Sequence, residues 1–171
     1  SDIEITDAFR PAVPGIKHID FNKTEDLDKI DRHTAGVVIE VVQAEAGVKP
    51  AEKKFLSALR KRCDETGTLL IFDEIQTGCG RTGKHFAFQH YGVVPDVICL
   101  AKALGGGMPL GAFISSADNM KTLIDNPALG HITTFGGHPV CCAASLAALQ
   151  IWSSQAVLEN VKKINLLRSE N

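Results

Sequence analysis

A short apolar run that ends in an acidic residue constrains this chain more than any other feature. Residues 69–73 read Leu-Leu-Ile-Phe-Asp, which is the length of a buried strand with Asp73 at its carboxyl end. A second apolar run, 97–101, places Lys102 directly after it, and glycines follow at 105–107. Because ligands of open α/β sheets bind outside the carboxyl ends of the strands, we expect the acid and the amine at one edge of a sheet.

An acid and an amine in that position fit one cofactor chemistry. A carboxylate can hold a protonated pyridine nitrogen, and a lysine amine can hold an aldehyde as a Schiff base. The pair therefore predicts a site for pyridoxal phosphate. Taken singly, Asp73 could instead be a turn residue after its strand, and Lys102 could be a solvated loop lysine. The prediction depends on the two residues together, with Glu40 at the end of a third apolar run.

The order of the predicted elements is typical of an α/β domain. A chain of 171 residues with 44% apolar residues is one domain in size and can bury a core. The β-branched run 35–42 predicts a strand buried on both faces, and helix 139–152 is apolar on nearly every side, so it should be buried. The other predicted elements are strands 16–21, 69–73, 97–101 and 110–115, helix 50–66 with Gly67 at its end, and helix 155–168.

Composition excludes several classes of partner. The net charge of −2 gives no reason to expect binding to nucleic acid or to a membrane surface. The N-terminal residues are polar, and no apolar run has the length of a membrane span, so we expect neither a signal peptide nor a membrane partner. The five cysteines include no CxxC pair, which indicates reduced thiols and a cytoplasmic protein.

The sequence contains features of two other kinds of ligand site. Residues 78–83 match the GxGxxG pattern of dinucleotide-binding turns after a strand. Against that reading, residues 73–76 separate the strand from the glycines, and no strand ending in an acid follows at the expected spacing. The histidines have no cysteine or carboxylate partner at ligand spacing, so we predict no metal site.

Four motifs resemble those of the class III aminotransferases, the ornithine, acetylornithine and 4-aminobutyrate type. The motifs occupy residues 39–47, 72–83, 95–107 and 133–139, in the order and spacing of that family. The resemblance implies a fold-type I large domain for pyridoxal phosphate, with a mostly parallel sheet flanked by helices. It also implies that residues 1–171 are the middle part of this domain, so that the fold is incomplete.

The resemblance assigns roles around the cofactor ring. Lys102 would bind the aldehyde and then move the proton between the substrate and the cofactor. Asp73 would keep the pyridine nitrogen protonated. Gln76 would donate a hydrogen bond to the phenolic oxygen of the ring, and Ile75 would pack on one ring face.

Further roles concern the phosphate and the substrate. Thr134, with Thr133 beside it, would bind the cofactor phosphate in the neighbouring subunit, which implies a homodimer. Glu45 resembles the carboxylate that pairs with a substrate-binding arginine in one half-reaction, and Glu40 would lie behind the cofactor. The family usually has proline, glycine and asparagine where Val41, Ala44 and His138 stand; none of these positions bears on the cofactor chemistry.

The reaction implied is transfer of an amino group to 2-oxoglutarate. The small-molecule donor would be ornithine, N-acetylornithine or a related ω-amine. The family's phosphate cup and its carboxylate-binding arginine would lie outside residues 1–171, so we expect these residues alone to be inactive. Other chemistry on the same scaffold (aminomutase, racemase or decarboxylase) and a folded fragment without catalysis remain alternatives.

Overall fold

The computed structural model describes residues 8–11, 13–125, 128 and 130–169, with side chains as far as residue 164. The strands are β1 Gly36–Glu40, β2 Val42–Gln43, β3 Lys49–Pro50, β4 Leu69–Asp73, β5 Val97–Leu100 and β6 Ala112–Ser115. The helices are α1 Lys53–Thr66, α2 Ala117–Asp125, α3 Pro139–Trp152 and α4 Gln155–Ser169. Short 3-10 turns occupy Thr24–Lys29, Ala87–His90 and Lys102–Gly105.

A four-stranded sheet of order β1-β4-β5-β6 organises the molecule. The pairs β1–β4 and β4–β5 are parallel, and β6 pairs antiparallel with β5. β2 and β3 form a separate antiparallel hairpin between β1 and α1. The sheet is therefore mostly parallel, and its carboxyl-terminal edge is shared by β1, β4 and β5.

The core lies between one face of the sheet and α1. Alternate residues of the first two parallel strands point inward and meet the apolar stripe of the helix. The buried residues are Val37, Ile39, Leu70 and Phe72 from the sheet and Phe55, Leu56, Leu59 and Cys63 from α1. The helix ends as predicted at Gly67, which has φ 72° and donates its N–H to the carbonyl of Cys63. Full burial of each large apolar side chain contributes about 1.5–3 kcal/mol.

Two predictions of burial are wrong. β1 is buried on one face only, and Val38 on the other face is 68% exposed. α3 has the predicted bounds, but Cys141 is the only residue of this helix that is buried within the described part of the chain. Both errors have one cause. An element that is apolar on two sides needs two covering layers, and the described residues supply one.

Two predicted element boundaries are also corrected. Residues 16–21 do not form a strand, because their backbone pairs with no other strand in the described part of the chain. The predicted helix 50–66 begins only at Lys53, since Pro50 pairs with Val42 in the hairpin. Asn22 stabilises the segment that leads into α1. Its side chain donates to the carbonyl of Pro50 at 3.1 Å and accepts from the N–H of Glu52 at 2.8 Å.

α3 and α4 are separated by a bend of 65°. Across that bend, Pro139–Trp152 and Gln155–Ile164 together reach the length and hydropathy of a membrane span. No single helix in the described ranges is long and apolar enough to cross a membrane. At the break, the N–H of Ser153 still donates to the carbonyl of Leu149 at 3.0 Å, so α3 ends with a regular last turn.

Candidate active site

The register of the parallel strands brings three sequence-predicted residues to one edge. Glu40 and Asp73 are direct partners at the ends of β1 and β4, and Asp73 is the partner of Cys99 in β5. Lys102 follows β5 after one residue, Ala101. The pleat of β4 directs Leu70 and Phe72 into the core, so Asp73 lies on the opposite, open face of the sheet.

Asp73 begins a tight turn that carries two further predicted residues. Its Oδ1 accepts the N–H of Ile75 at 2.9 Å, and the turn closes with the N–H of Gly78 on the carbonyl of Glu74 at 2.8 Å. Asp73 is therefore a turn residue as well as an acid at the edge. In the described part of the chain no donor hydrogen-bonds to its Oδ2, which leaves that oxygen free to accept a proton donor.

Lys102 meets this turn from the end of β5. Its Nζ donates to Oε1 of Gln76 at 2.5 Å, and both side chains are exposed. The lysine backbone has φ 48°, the left-handed region that side chains other than glycine rarely adopt. Such a conformation costs about 1–3 kcal/mol and is typical of functional sites. The strain therefore falls on the residue that the sequence singled out for covalent chemistry.

Glu74 is a residue of this region that the sequence analysis missed. It is 1% exposed, and its carboxylate accepts from Oγ1 of Thr77 at 2.8 Å and from the N–H groups of Ala87 and Phe88 at 2.9 and 2.8 Å. The signal was present in the sequence: strand alternation continued from Leu70 and Phe72 puts residue 74 on the core face.

The predicted phosphate-binding threonines belong neither to the turn after β4 nor to the loop that carries Lys102. Thr133 and Thr134 are exposed in the loop before α3, where they line a cavity of about 440 Å³ with the segments 109–111 and 135–137. Among the described residues, no hydrogen bond joins either threonine to Asp73, Gln76 or Lys102. Within the described residues the threonine pair is thus not hydrogen-bonded to the carboxylate–lysine pair.

The two remaining predicted carboxylates flank the edge on the β1 side. Oε2 of Glu40 accepts the N–H of Ala44 at 3.4 Å, which ties the strand end to the following turn. Glu45 is exposed in the turn that joins β2 to β3. The structure brings Glu40 next to Asp73 and leaves Glu45 in solvent at the tip of the hairpin.

The pKa values of two cysteine thiols are raised by burial and by neighbouring carboxylates. Burial, and then the carboxylate of Asp73, raise the pKa of the Cys99 thiol. Burial, and then the carboxylate of Glu74, raise the pKa of Cys79. All five cysteines are free thiols. Within the described residues no cluster of three His, Cys, Asp or Glu side chains could hold a metal ion.

A mostly parallel α/β sheet with an acid and a lysine at its carboxyl-terminal edge defines a class of cofactor-binding enzyme domain. Comparison with known proteins identifies which one: the sequence profile described as aminotransferase class-III matches residues 6–170. The chain belongs to the class-III aminotransferase family. The family predicted from the four motifs is therefore confirmed, and pyridoxal phosphate is the cofactor of this family.

Two relatives are acetylornithine aminotransferases. That of Pseudomonas putida is 46% identical over 159 residues, which are 92% of this chain and 38% of the relative. That of Methanocaldococcus jannaschii is 48% identical over 146 residues, which are 85% of this chain and 36% of the relative. The chain thus spans less than two fifths of the length of these relatives.

Solved structures agree with this assignment. An N-acetylornithine aminotransferase from Stenotrophomonas maltophilia superposes with a TM-score of 0.76 at 38% identity, over 89% of this chain and 39% of that one. The ornithine aminotransferase of Toxoplasma gondii, which has pyridoxal phosphate at partial occupancy in its active site, gives 0.80 at 34% identity over 93% and 36%. The predicted fold, an incomplete fold-type I domain, is confirmed. The dinucleotide-binding alternative is wrong, because residues 78–83 form turns and lead into no α-helix.

The residues at the edge fit one side of pyridoxal phosphate. Asp73 offers a carboxylate oxygen to which no donor of the described residues binds, and this suits a protonated ring nitrogen. Lys102 offers an exposed amine, which suits the aldehyde. The amide of Gln76 is in contact with that amine and can turn its NH₂ toward a ring oxygen.

Proposed function

We propose that this protein is a pyridoxal phosphate-dependent aminotransferase that moves an amino group from ornithine, N-acetylornithine or a related ω-amine to 2-oxoglutarate. The observation that carries the proposal is the 2.5 Å contact between Lys102 Nζ and Gln76 Oε1, at the sheet edge where Asp73 Oδ2 accepts no hydrogen bond from the described residues. The names of the relatives support the donor class, because both acetylornithine and ornithine aminotransferases are among them.

Each residue of the edge has a separate task. When bound, pyridoxal phosphate supplies an aldehyde that condenses with amines and a ring that takes up the electron pair left by a removed proton. Asp73 keeps the ring nitrogen protonated through its Oδ2. Lys102 would hold the aldehyde through its Nζ, and as a free amine it would accept and return the substrate proton. The exposed position of Nζ leaves room for the incoming substrate.

Other residues orient the ring and its phosphate. Gln76 would donate its amide N–H to the phenolic oxygen of the ring, and the half-buried Ile75 would pack on a ring face. Thr133 and Thr134 bind the phosphate held by a second copy of the chain. Among the described residues neither threonine hydrogen-bonds to Lys102, and this supports the arrangement, since a pair that serves the neighbouring site need not contact its own lysine. The protein would then be a homodimer.

The outer carboxylates act on substrate exchange. Glu45, exposed at the tip of the β2–β3 hairpin, is in a position to pair with a mobile arginine and release it when a dicarboxylate enters. Glu40 braces the edge behind the cofactor through Ala44. Residues 1–171 would be part of the cofactor-binding large domain of a cytoplasmic enzyme. By themselves they would not turn over substrate, since the family resemblance puts the phosphate cup and the carboxylate-binding arginine outside them.

Reduction with borohydride tests the cofactor assignment. The protein is mixed with pyridoxal phosphate, reduced, digested and mapped by mass spectrometry. We expect one pyridoxyl adduct, on Lys102, which disappears in Lys102→Ala and persists in Lys61→Ala, an exposed lysine of α1. Adducts spread over surface lysines without preference for Lys102 would contradict the proposal and favour a folded fragment without catalysis.

Product analysis tests the reaction class. With ¹⁵N-labelled N-acetylornithine or ornithine and 2-oxoglutarate, an aminotransferase transfers the label to glutamate. A decarboxylase on the same scaffold would release CO₂ instead, and a racemase would return the labelled donor with inverted configuration. This assay needs the full-length enzyme that contains residues 1–171, because we expect these residues alone to be inactive. Absence of labelled glutamate with every ω-amine tried, in a full-length enzyme that forms the Lys102 adduct, would refute the donor class and retain the cofactor assignment.

A further inference from the structure

Glu74 is a buried carboxylate without a cationic partner. In the described part of the chain no lysine, arginine or histidine forms an ion pair with it, yet the residue is only 1% exposed. Three donors satisfy its two oxygens: Thr77 Oγ1 and Ala87 N–H on Oε2, and Phe88 N–H on Oε1. A buried charge is tolerated when hydrogen bonds to the charged form replace its hydration.

These bonds join separate pieces of chain at one point. The backbone of Glu74 donates to the carbonyl of Cys99 at the end of β5 and accepts from Gly78, which closes the turn after β4. The carboxylate binds the 3-10 turn Ala87–His90, so that this turn is held in the same hydrogen-bond network. Phe88, which donates one of the bonds, also packs on Phe72 of β4 with ring centroids 6.5 Å apart.

The turn held in this way is the one that carries the proposed cofactor contacts. Glu74 lies between Asp73 and Ile75 in sequence, and its side chain is directed to the core while Asp73 lies on the open face. Any rotation of the turn about Glu74 would move Gln76 relative to Lys102, and that contact is a single hydrogen bond between exposed side chains. The orientation of the turn is therefore fixed from its buried side.

We propose that Glu74 is a positioning residue of the cofactor site: its buried carboxylate, bound by Thr77 and the backbone of residues 87–88, fixes the turn that presents Asp73 and Gln76 to Lys102. This inference rests on the proposed function. A carboxylate is required because both of its oxygens accept. A glutamine at this position would direct its NH₂ toward a backbone N–H or the Thr77 hydroxyl. One of the hydrogen-bond donors that now bind the carboxylate would then be unpaired.

Glu74→Gln is the direct test, and Asp96→Asn is its matched control. Asp96 also binds a backbone N–H of β4, that of Leu70 at 2.7 Å, but at the opposite end of the strand and together with Arg60. Both variants lose a carboxylate that holds β4, so both should lower the thermal midpoint. We expect only Glu74→Gln to raise the dissociation constant for pyridoxal phosphate, by about tenfold. We also expect only this variant to shift the pH midpoint of the visible absorbance of the unreduced Schiff base on Lys102.

A hydroxyl exchange at Thr77 gives a second test that does not remove the carboxylate. Thr77→Val keeps the shape of this buried residue and removes its donor, whereas Thr77→Ser keeps the donor. We expect Thr77→Val to bind pyridoxal phosphate about fivefold more weakly and Thr77→Ser to bind it like the wild type. This pair decides the matter if Glu74→Gln does not fold.

The outcomes separate this inference from the proposed function. Wild-type protein without a preferred adduct on Lys102 would refute the proposed function itself. A wild-type adduct on Lys102, together with cofactor affinity and absorbance profile in Glu74→Gln equal to those of Asp96→Asn, would overturn the positioning role alone. Equal binding by Thr77→Val and Thr77→Ser would do the same.

Discussion

Gly106, in the loop after Lys102, lies directly against α3. A Cβ at this position would lie 2.7 Å from the carbonyl oxygen of Ala144 and 3.0 Å from the Cβ of Ala148. The backbone φ is 59°, so a side chain would also be strained conformationally. The loop that carries Lys102 is thus packed against the helix backbone, and Gly106→Ala should separate the two.

The magnitude follows from two contributions. A left-handed residue with a Cβ costs about 1–2 kcal/mol, of which about 0.4–1 kcal/mol is offset because alanine restricts the unfolded chain. The overlap with the helix backbone, which cannot rotate away as a side chain can, adds about 1–3 kcal/mol. We expect Gly106→Ala to lose about 2–4 kcal/mol, a fall in thermal midpoint of about 2–4 °C for each kcal/mol in a domain of this size.

The neighbouring glycine is the control. Gly107 also has positive φ, 96°, but nothing lies within 4 Å of a Cβ built there. Gly107→Ala therefore pays the conformational cost without the overlap, and urea denaturation should show it about 1–3 kcal/mol more stable than Gly106→Ala. Equal losses in the two variants would refute the close approach to α3 as the reason for glycine at 106.

Three further predictions concern the core, a buried thiol and the lysine backbone. Leu59→Ala, in the fully buried stripe of α1, should lose about 2–5 kcal/mol in urea denaturation, whereas Leu149→Ala on the exposed side of α3 should lose much less; equal losses would contradict the position of the core. Burial raises the pKa of Cys63 to about 11, so the stability that this thiol contributes is complete below the ordinary thiol pKa and is lost as the pH rises toward about 11. The difference in urea midpoint between wild type and Cys63→Ala should therefore shrink from pH 8 to pH 10.5. An unchanged difference would contradict the raised pKa. Lys102→Gly should be more stable than Lys102→Ala by about 0.5–1 kcal/mol in thermal denaturation, because glycine removes the strain at φ 48°; the reverse order would show that the backbone is not strained there.

The elements of the fold were predictable because each one satisfies a local rule. The stripe of α1, the left-handed Gly67 after it and the apolar run of β4 are all properties of contiguous sequence. The covering of those elements was not predictable in the same way. The alternation in β1 and the uniform apolarity of α3 indicate which faces should be buried. The residues that cover those faces belong to other layers, and the local sequence does not identify them.

The chemistry of the site was predictable to a different depth for different residues. Asp73 and Lys102 could be placed at one edge because parallel strands align their carboxyl ends. Strand alternation puts Glu74 on the core face, but an acid after a strand is normally exposed. The donors at residues 87–88 that stabilise its burial come from a distant segment, so the sequence did not single it out. The hairpin of β2 and β3 was missed for a similar reason, since two residues per strand give no periodicity.

The pair Asp73–Glu74 shows how the pleat of one strand gives adjacent acids different tasks. Alternation directs Asp73 to the open face, where a ligand can reach it, and Glu74 to the core face, where backbone donors hold it. The same alternation in β5 would direct residue 102 to the side of buried Leu100. The left-handed backbone at Lys102 breaks that alternation and brings the amine to Gln76 instead. Strain at one residue thus completes an arrangement that strand geometry alone would leave open, and this is why the lysine, rather than either acid, is where stability and function should trade against each other.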